Sequence, residues 1–397
     1  MVGQHLLGGE SMRTKTISRA ALSALAGIVA SATMVSLSAA SPRQSSVVRH
    51  TSPNSITMKL SPFTPVKPPT GGTDNYHCSL LYPGNTTDQM ITATTFSPTT
   101  TQVHHVILYL GYPSDLAAAK KIDNKGKGWT CFGAPQLTGT PSQISEVGRQ
   151  PWLAASGPGH NTSYEPAGTG MPLPAGAFII VQVHYNLLVG MKGGKSPIDK
   201  STVTLITEPT ATSTLKPLKI DTYVAPPDLP CPAGKKGPLC SRAKSMADLK
   251  ARFGQGEVNF VNLIEFICGR SKSIPADSAT VVTTSCTLPN QGAGYIQSVA
   301  PHMHMLGVSM VVKLNAGTPD EQVLMNQTSY NFDLQRGTVL VPPVHVTKSD
   351  KISVTCTYNP VLRSLLPQTR SLPNRYITWG DGSSDEMCLA IVGRTTT

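Results

Sequence analysis

Apolar residues along this chain recur mostly in short runs broken by Gly, Pro, Asn and Asp, the rhythm of strands and turns. Val103 to Leu110 (VHHVILYL) is a compact run rich in β-branched residues. Ala177 to Leu187 (AFIIVQVHYNL) is another, entered through Pro-Ala-Gly. Further strands are expected at Tyr295–Val299, Gly307–Leu314, Ile352–Tyr358 and Leu389–Val392. Residues 208–217 (EPTATSTLKP) are poor in bulky side chains and read as a linker between two strand-rich domains, 57–207 and 218–397. The second domain carries an insert, 226–256, in which Ser241 to Phe253 has helical spacing. There Met246, Leu249 and Phe253 share a face, Ser245 can cap the helix and Gly254 stops it. No fixed-period repeat is present. The pattern predicts an all-β protein: two jelly-roll-like antiparallel β-sandwich domains in tandem, with one short helical insert in the second.

Composition adds detail. Charged residues are only 14% of the chain, while Gly (34) and Pro (33) are plentiful, which suits short strands and tight turns. Residues 1–40 read as a signal peptide: Arg13, Lys15 and Arg19 precede an apolar stretch from Ala20 to Ala40, and Ser38-Ala39-Ala40 offers a cleavage site. A membrane anchor is the competing reading, but Ser and Thr dilute the stretch. Residues 41–56 are polar and aperiodic and are expected to be disordered. No later run is long enough to span a bilayer, so a secreted protein without a stable membrane anchor is expected. The net charge of +11 is scattered, with no basic cluster interleaved with aromatics, which argues against nucleic acid. The eight cysteines are Cys78, Cys131, Cys231, Cys240, Cys268, Cys286, Cys356 and Cys388. An even count without C-x-x-C, behind an export signal, points to four disulfides and away from a zinc site.

Five of the ten histidines lie in three apolar contexts: Val-His104-His105-Val, Gln182-Val-His184-Tyr185, and Pro-His302-Met-His304-Met. A lone strand histidine is usually packing, but paired buried imidazoles need partners for their ring nitrogens. His302 and His304, two apart, share one strand face. His104 and His105 are adjacent, so a common ion would require a bulge or a strand end there. His184 could supply a third nitrogen, and Gln182 shares its face. Imidazole suits copper, zinc, iron and nickel alike, whereas a thioether such as Met387 favours Cu(I). Met303 and Met305 should alternate away from their neighbouring histidines and serve as packing.

The order and context of these motifs resemble the copper type II, ascorbate-dependent monooxygenases, from about Asp74 to Val392. Tyr76-His-Cys78 looks like the family's early Tyr-x-Cys, and His104-His105 like its histidine doublet. Gln182-Val-His184-Tyr185 is similar to its Q-V-H-Y strand, His302-Met-His304 to its H-T-H segment, and Glu386-Met387-Cys388 to its E-M-C. The resemblance implies two copper ions: an electron-transfer copper on His104, His105 and His184, and an oxygen-activating copper on His302, His304 and Met387. It implies O2 and a small-molecule substrate as partners, ascorbate or a similar reductant, and catalytic parts for Met387, His302, His304, Gln182 and Tyr76. The family's pairing would join Cys78 to Cys131 and Cys356 to Cys388; proximity would join Cys231 to Cys240 and Cys268 to Cys286. The peptide-processing member grips a carboxylate with an Arg two residues before H-x-H and with side chains after E-M-C. Here those positions are Ala300, Leu389 and Ile391, so that grip is missing. The expected activity is hydroxylation of a C–H bond in a small organic substrate. A non-catalytic secreted copper-binding protein of the same fold is the alternative. A structural sandwich with incidental histidines would leave the ordered motifs unexplained.

Overall fold

The computed structural model describes residues 54–68, 72–137, 151–157, 161–191, 193–269 and 281–396. The expected signal peptide (1–40) and residues 41–53 of the expected disordered segment lie outside them. The chain is mostly antiparallel β, as expected. The largest sheet among the described residues has nine strands. One part holds strands Asn54–Lys59, Thr202–Pro209, Gln89–Ser97 and Thr169–Leu173, with Thr162–Tyr164 also paired to Gln89–Ser97; the other holds Lys216–Val224, Leu389–Thr395, Gly294–His302 and Thr338–Val346. The two parts meet in a short parallel seam, where Lys216 and Pro217 pair with Thr169 and Gly170.

A second layer covers each part, because each sheet has an apolar face to bury. A five-stranded sheet, built around Asp74–Leu81, Phe178–Asn186 and Val103–Gly111, closes one core containing Ile91, Phe96, Leu108, Ile179, Val181, Val183 and Leu205. A four-stranded sheet of Val282–Pro289, Lys351–Tyr358, Gly307–Leu314 and Gln322–Gln327 closes the other over Ile296, Val299, Val312, Val354 and Val392. Every residue of Phe178–Asn186 is buried. Its odd-numbered residues enter the inter-sheet core, while Phe178 and Ile180 join a separate cluster behind the sheet. Gln182 and His184 therefore share a buried outer face.

The structure differs from expectation at three places. The first strand begins at Asn54, inside the segment read as disordered, because Met58 is buried and the strand pairs in register with residues 202–207. The segment read as a linker is partly strand: Glu208 and Pro209 end one strand, Lys216 and Pro217 begin the next, and a 3-10 turn at Thr210–Thr212 lies between them. Two helices form here, not one: the first lies in the insert and the second runs beyond its expected end at 256. Arg242–Phe253 stops at Gly254 as expected, with Ser241 at its N-cap; Ser245 is no cap but is buried, donating to the Tyr376 carbonyl. Gly254, at φ 93°, reverses the chain into a second helix, Gln255–Ile267, whose buried Glu257, Val261 and Ile264 fall at helical spacing. A further short helix, Leu116–Ile122, was also unforeseen.

Four disulfides are formed: Cys78–Cys131, Cys231–Cys240, Cys268–Cys286 and Cys356–Cys388. The last closes a loop of sequence separation 32 between two fully buried residues. Replacing Cys356 and Cys388 together by Ser should lower the unfolding free energy by about 2–4 kcal/mol. Urea denaturation checks this, and an unshifted midpoint would show that the bridge contributes nothing to stability.

Candidate metal centre

The five-stranded sheet positions the first histidine set. Along Val103–Gly111 the register opposite Phe178–Asn186 slips between Val103, which faces Tyr185, and His105, which faces His184. His104 is the extra residue of that bulge. The slip turns two adjacent side chains toward one place, which a regular strand cannot do. The Nδ1 atoms of His104 and His105 lie 3.2 Å apart, and those of His184 and His105 lie 3.1 Å apart. Nitrogens of all three rings fall within 4.8 Å of one another.

The other side of this set is fixed by the neighbouring strand. His184 Nε2–H donates to Asp74 Oδ1 at 2.8 Å, which leaves its Nδ1 as a lone pair aimed at the cluster. Asp74 is buried, and burial pushes its carboxyl up. The His184 contact and the Ser383 hydroxyl, which donates at 2.6 Å, more than offset this and hold it below the usual carboxylate range. Tyr76 stacks flat on His184, ring centroids 4.3 Å apart, and its hydroxyl donates to the Asp381 carbonyl. Burial first, and the neighbouring imidazoles second, push His104 and His105 well below the ordinary histidine range, so their lone pairs are available at neutral pH.

The second histidine pair sits where Gly294–His302 ends. His302 Nδ1–H donates to Gln335 Oε1 at 2.8 Å, and the Gln335 amide is itself held by the Phe332 carbonyl. His304 Nδ1–H donates to the Asp385 carbonyl at 3.2 Å. Its Nε2 is buried with no hydrogen-bond partner. Burial brings His302 down to about 4 and His304 to about 3, so both rings are neutral. Their centroids are 5.3 Å apart. Glu386 ties this pair to the turn that carries Met387: its carboxylate accepts the backbone N–H groups of His304 and Leu306 at 2.9 and 2.7 Å. Met303 packs in the core, fully buried, and Met305 is also buried.

The two sets face each other, with the His105 and His302 rings 5.6 Å apart. His105 and His302 line a cavity of about 200 Å³ that also takes in Met387, Gln182 and Tyr76. Its walls are largely apolar: Trp152, Phe260, Trp379, Leu389 and Ile391. Among the described residues no Lys or Arg lines it. Ala300, Leu389 and Ile391, the positions without the carboxylate grip, all belong to its wall.

The residues present fit a copper ion at either set. Three neutral imidazole nitrogens converge at the first, and an orphaned buried imidazole nitrogen stands beside a thioether-bearing turn at the second. Several partners escaped the sequence reading. Asp74 carried a usable signal, since it lies two residues before Tyr76 and so on the same strand face. Gln335, Trp152, Phe260 and Trp379 carried none, because tertiary packing alone brings them to the cavity.

Comparison with known proteins agrees with this picture. Residues 261–393 match the model of the copper type II ascorbate-dependent monooxygenase, C-terminal domain. A comparison with curated proteins returned no match. Among solved structures, an allantoicase is 8% identical, with 81% of this chain and 78% of that one covered, at a TM-score of 0.19. A fucolectin from Morone saxatilis (striped bass) serum is 7% identical, covering 82% and 85%, at a TM-score of 0.18. Scores this low carry no argument. The match spans the strands and turn that carry His302, His304 and Met387, so this third of the chain is similar to the C-terminal domain of the copper type II ascorbate-dependent monooxygenases.

Proposed function

We propose that this protein is a secreted monooxygenase that hydroxylates a C–H bond of a small organic substrate, using O2 and ascorbate or a similar one-electron donor. It would hold two coppers in two domains, 57–207 and 218–397. His104, His105 and His184 would hold the electron-transfer copper; His302, His304 and Met387 would hold the oxygen-activating one. The observation that carries this reading is the bulge at His104, which turns three imidazoles to one point, with the His105 ring 5.6 Å from that of His302 across a shared cavity. Four disulfides support an oxidising compartment. No helix among the described residues is long and apolar enough to cross a membrane.

When bound, the two coppers would supply one electron each and the site of oxygen activation. The protein's own residues do the rest. Asp74 fixes the His184 tautomer and ring angle, as Gln335 and the Asp385 carbonyl do for His302 and His304. Tyr76 keeps the His184 ring from turning by stacking on it. The aromatic and aliphatic walls would seat the substrate and keep bulk water from the reacting carbon. Gln182, on the His184 face, offers the cavity an amide for orientation. A buried substrate carboxylate would need a cation or several donors, and among the described residues the wall provides no Lys or Arg. The substrate is therefore neutral or cationic. A copper-storage protein would have no use for such a cavity beside its ligands.

Met387→Ala separates turnover from binding. Two imidazoles remain, so Cu(II) content should stay near that of the parent, while the lost thioether weakens Cu(I) and nearly all hydroxylation disappears. Met303→Ala should cost far less activity, since Met303 lies in the core. Copper stoichiometry and product formation decide; normal turnover by Met387→Ala would sink the ligand assignment. Asp74→Asn should weaken copper at the first set by roughly 10–100-fold, read by competition with a chelator. Unchanged affinity would mean that Asp74 only braces the fold. Glycine-extended peptides should not be amidated, and efficient amidation would overturn the substrate class.

A further inference from the structure

The helix Arg242–Phe253 precedes the matched region, and the sequence offers no role for the insert that contains it. Yet it reaches the turn that carries Met387. Arg252 is buried, and its Nη1 and Nη2 donate to the two carboxylate oxygens of Asp385 at 2.6 and 2.7 Å. Its Nε donates to Asp248, one turn earlier on the same helix, at 2.8 Å. Asp248 also pairs with Arg375, so the guanidinium cannot swing away without breaking several charged contacts. A two-point fork of this kind fixes angle as well as distance.

Asp385 is not a passive anchor. Its carbonyl accepts His304 Nδ1–H, and two residues later comes Met387. Gly380 and Gly382 make room for the approach. A Cβ on Gly380 would meet Leu249 at 2.7 Å, and one on Gly382 would meet Arg252 at 3.0 Å and Asp385 at 2.8 Å. Met387 itself packs in a cluster with Leu249 and Phe253 of the same helix. The helix thus holds the turn through both a buried ion pair and apolar contact.

We infer that Arg252 is a positioning residue for Met387: through Asp385 it sets the turn so that the thioether and the His304 ring address one ion. This rests on the proposed ligand set of His302, His304 and Met387. Arg252→Gln would lose the fork and its charge, leaving the buried Asp385 with only the longer, 3.5 Å ion pair to Arg375, which would draw the turn toward that residue.

The experiment uses the full chain, loaded with copper and reduced anaerobically, and reads sulfur scattering in the copper X-ray absorption spectrum. The parent should show a sulfur ligand, and Met387→Ala should lose it. Arg252→Gln should lose most of it, with Cu(I) affinity at that site falling roughly tenfold or more in competition with bicinchoninate. Arg242→Gln is the control. Arg242 lies on the same helix but pairs with Asp228 and Glu265, away from the turn, so this variant can weaken the helix and should keep the sulfur signal. If Arg252→Gln does not fold, Arg252→Lys takes its place, since an ammonium cannot make the fork. Sulfur lost in Met387→Ala but retained in the folded Arg252 variant overturns this inference alone. Equal loss in Arg242→Gln also overturns it, because any damage to the helix would then suffice. A parent spectrum without sulfur, or one unchanged by Met387→Ala, overturns the ligand set and this inference with it.

Discussion

Five imidazole rings gather at one buried junction, and burying them is unfavourable unless each ring has its orientation fixed. A buried polar atom without a partner costs about 1–3 kcal/mol, so a set of open lone pairs must be balanced by firm contacts elsewhere on the same rings. His184 has Asp74, His302 has Gln335 and His304 has the Asp385 carbonyl. In each case one nitrogen is satisfied and the other is left facing a neighbour ring or the interior. Much of the surrounding structure follows from this requirement. Asp74 sits on the strand that pairs with the His184 strand, Gln335 is pinned by a backbone carbonyl, and Asp385 lies on a turn gripped by a helix.

That junction is also where the two halves of the described chain are bound to each other. Tyr76 and Asp74 belong to the first half, yet their partners Asp381 and Ser383 lie on the turn that leads to Met387. The residues that orient the first histidine set therefore also restrain the turn serving the second. The two proposed ligand sets are mechanically linked, and a change of one residue at the contact is expected to be felt at both.

Much of this was legible in the sequence, for physical reasons that can be named. Adjacency at His104 and His105 demands the bulge that the register does contain, whereas the strand carrying His302 ends at that residue, so strand alternation does not place His304. The strand-and-turn rhythm gave the all-β class, and the four cysteine pairs form as the family resemblance implied for Cys78–Cys131 and Cys356–Cys388 and as proximity suggested for the other two. What stayed hidden depends on tertiary contact. Gln335 lies 33 residues from the ring it holds, and Arg252 lies 133 from Asp385. The helix Gln255–Ile267 was hidden differently. Gly254 reads as a stop, and a stop followed at once by a restart has no local signature except the spacing of Val261 and Ile264.

The wall of the cavity bears on how selectivity arises. Where a buried charge is recognised, a single salt bridge can decide between substrates, because leaving it unpaired is so costly. This wall has Ala300, Leu389 and Ile391 where a carboxylate would be gripped, and aromatic rings around them. Discrimination here must come mostly from shape and apolar contact, and one methylene in such a pocket is worth only about 1–3 kcal/mol. The pocket is thus suited to a class of compact molecules and not to a single one. The walls that set its shape are divided between the sandwiches and a helix: Trp152 comes from the first half, Leu389 and Ile391 from the second, and Phe260 from the helix Gln255–Ile267. Exchange of that helix would change the shape of the cavity while leaving all five histidines in place, and so offers a route by which substrate preference can shift without disturbing the proposed metal ligands.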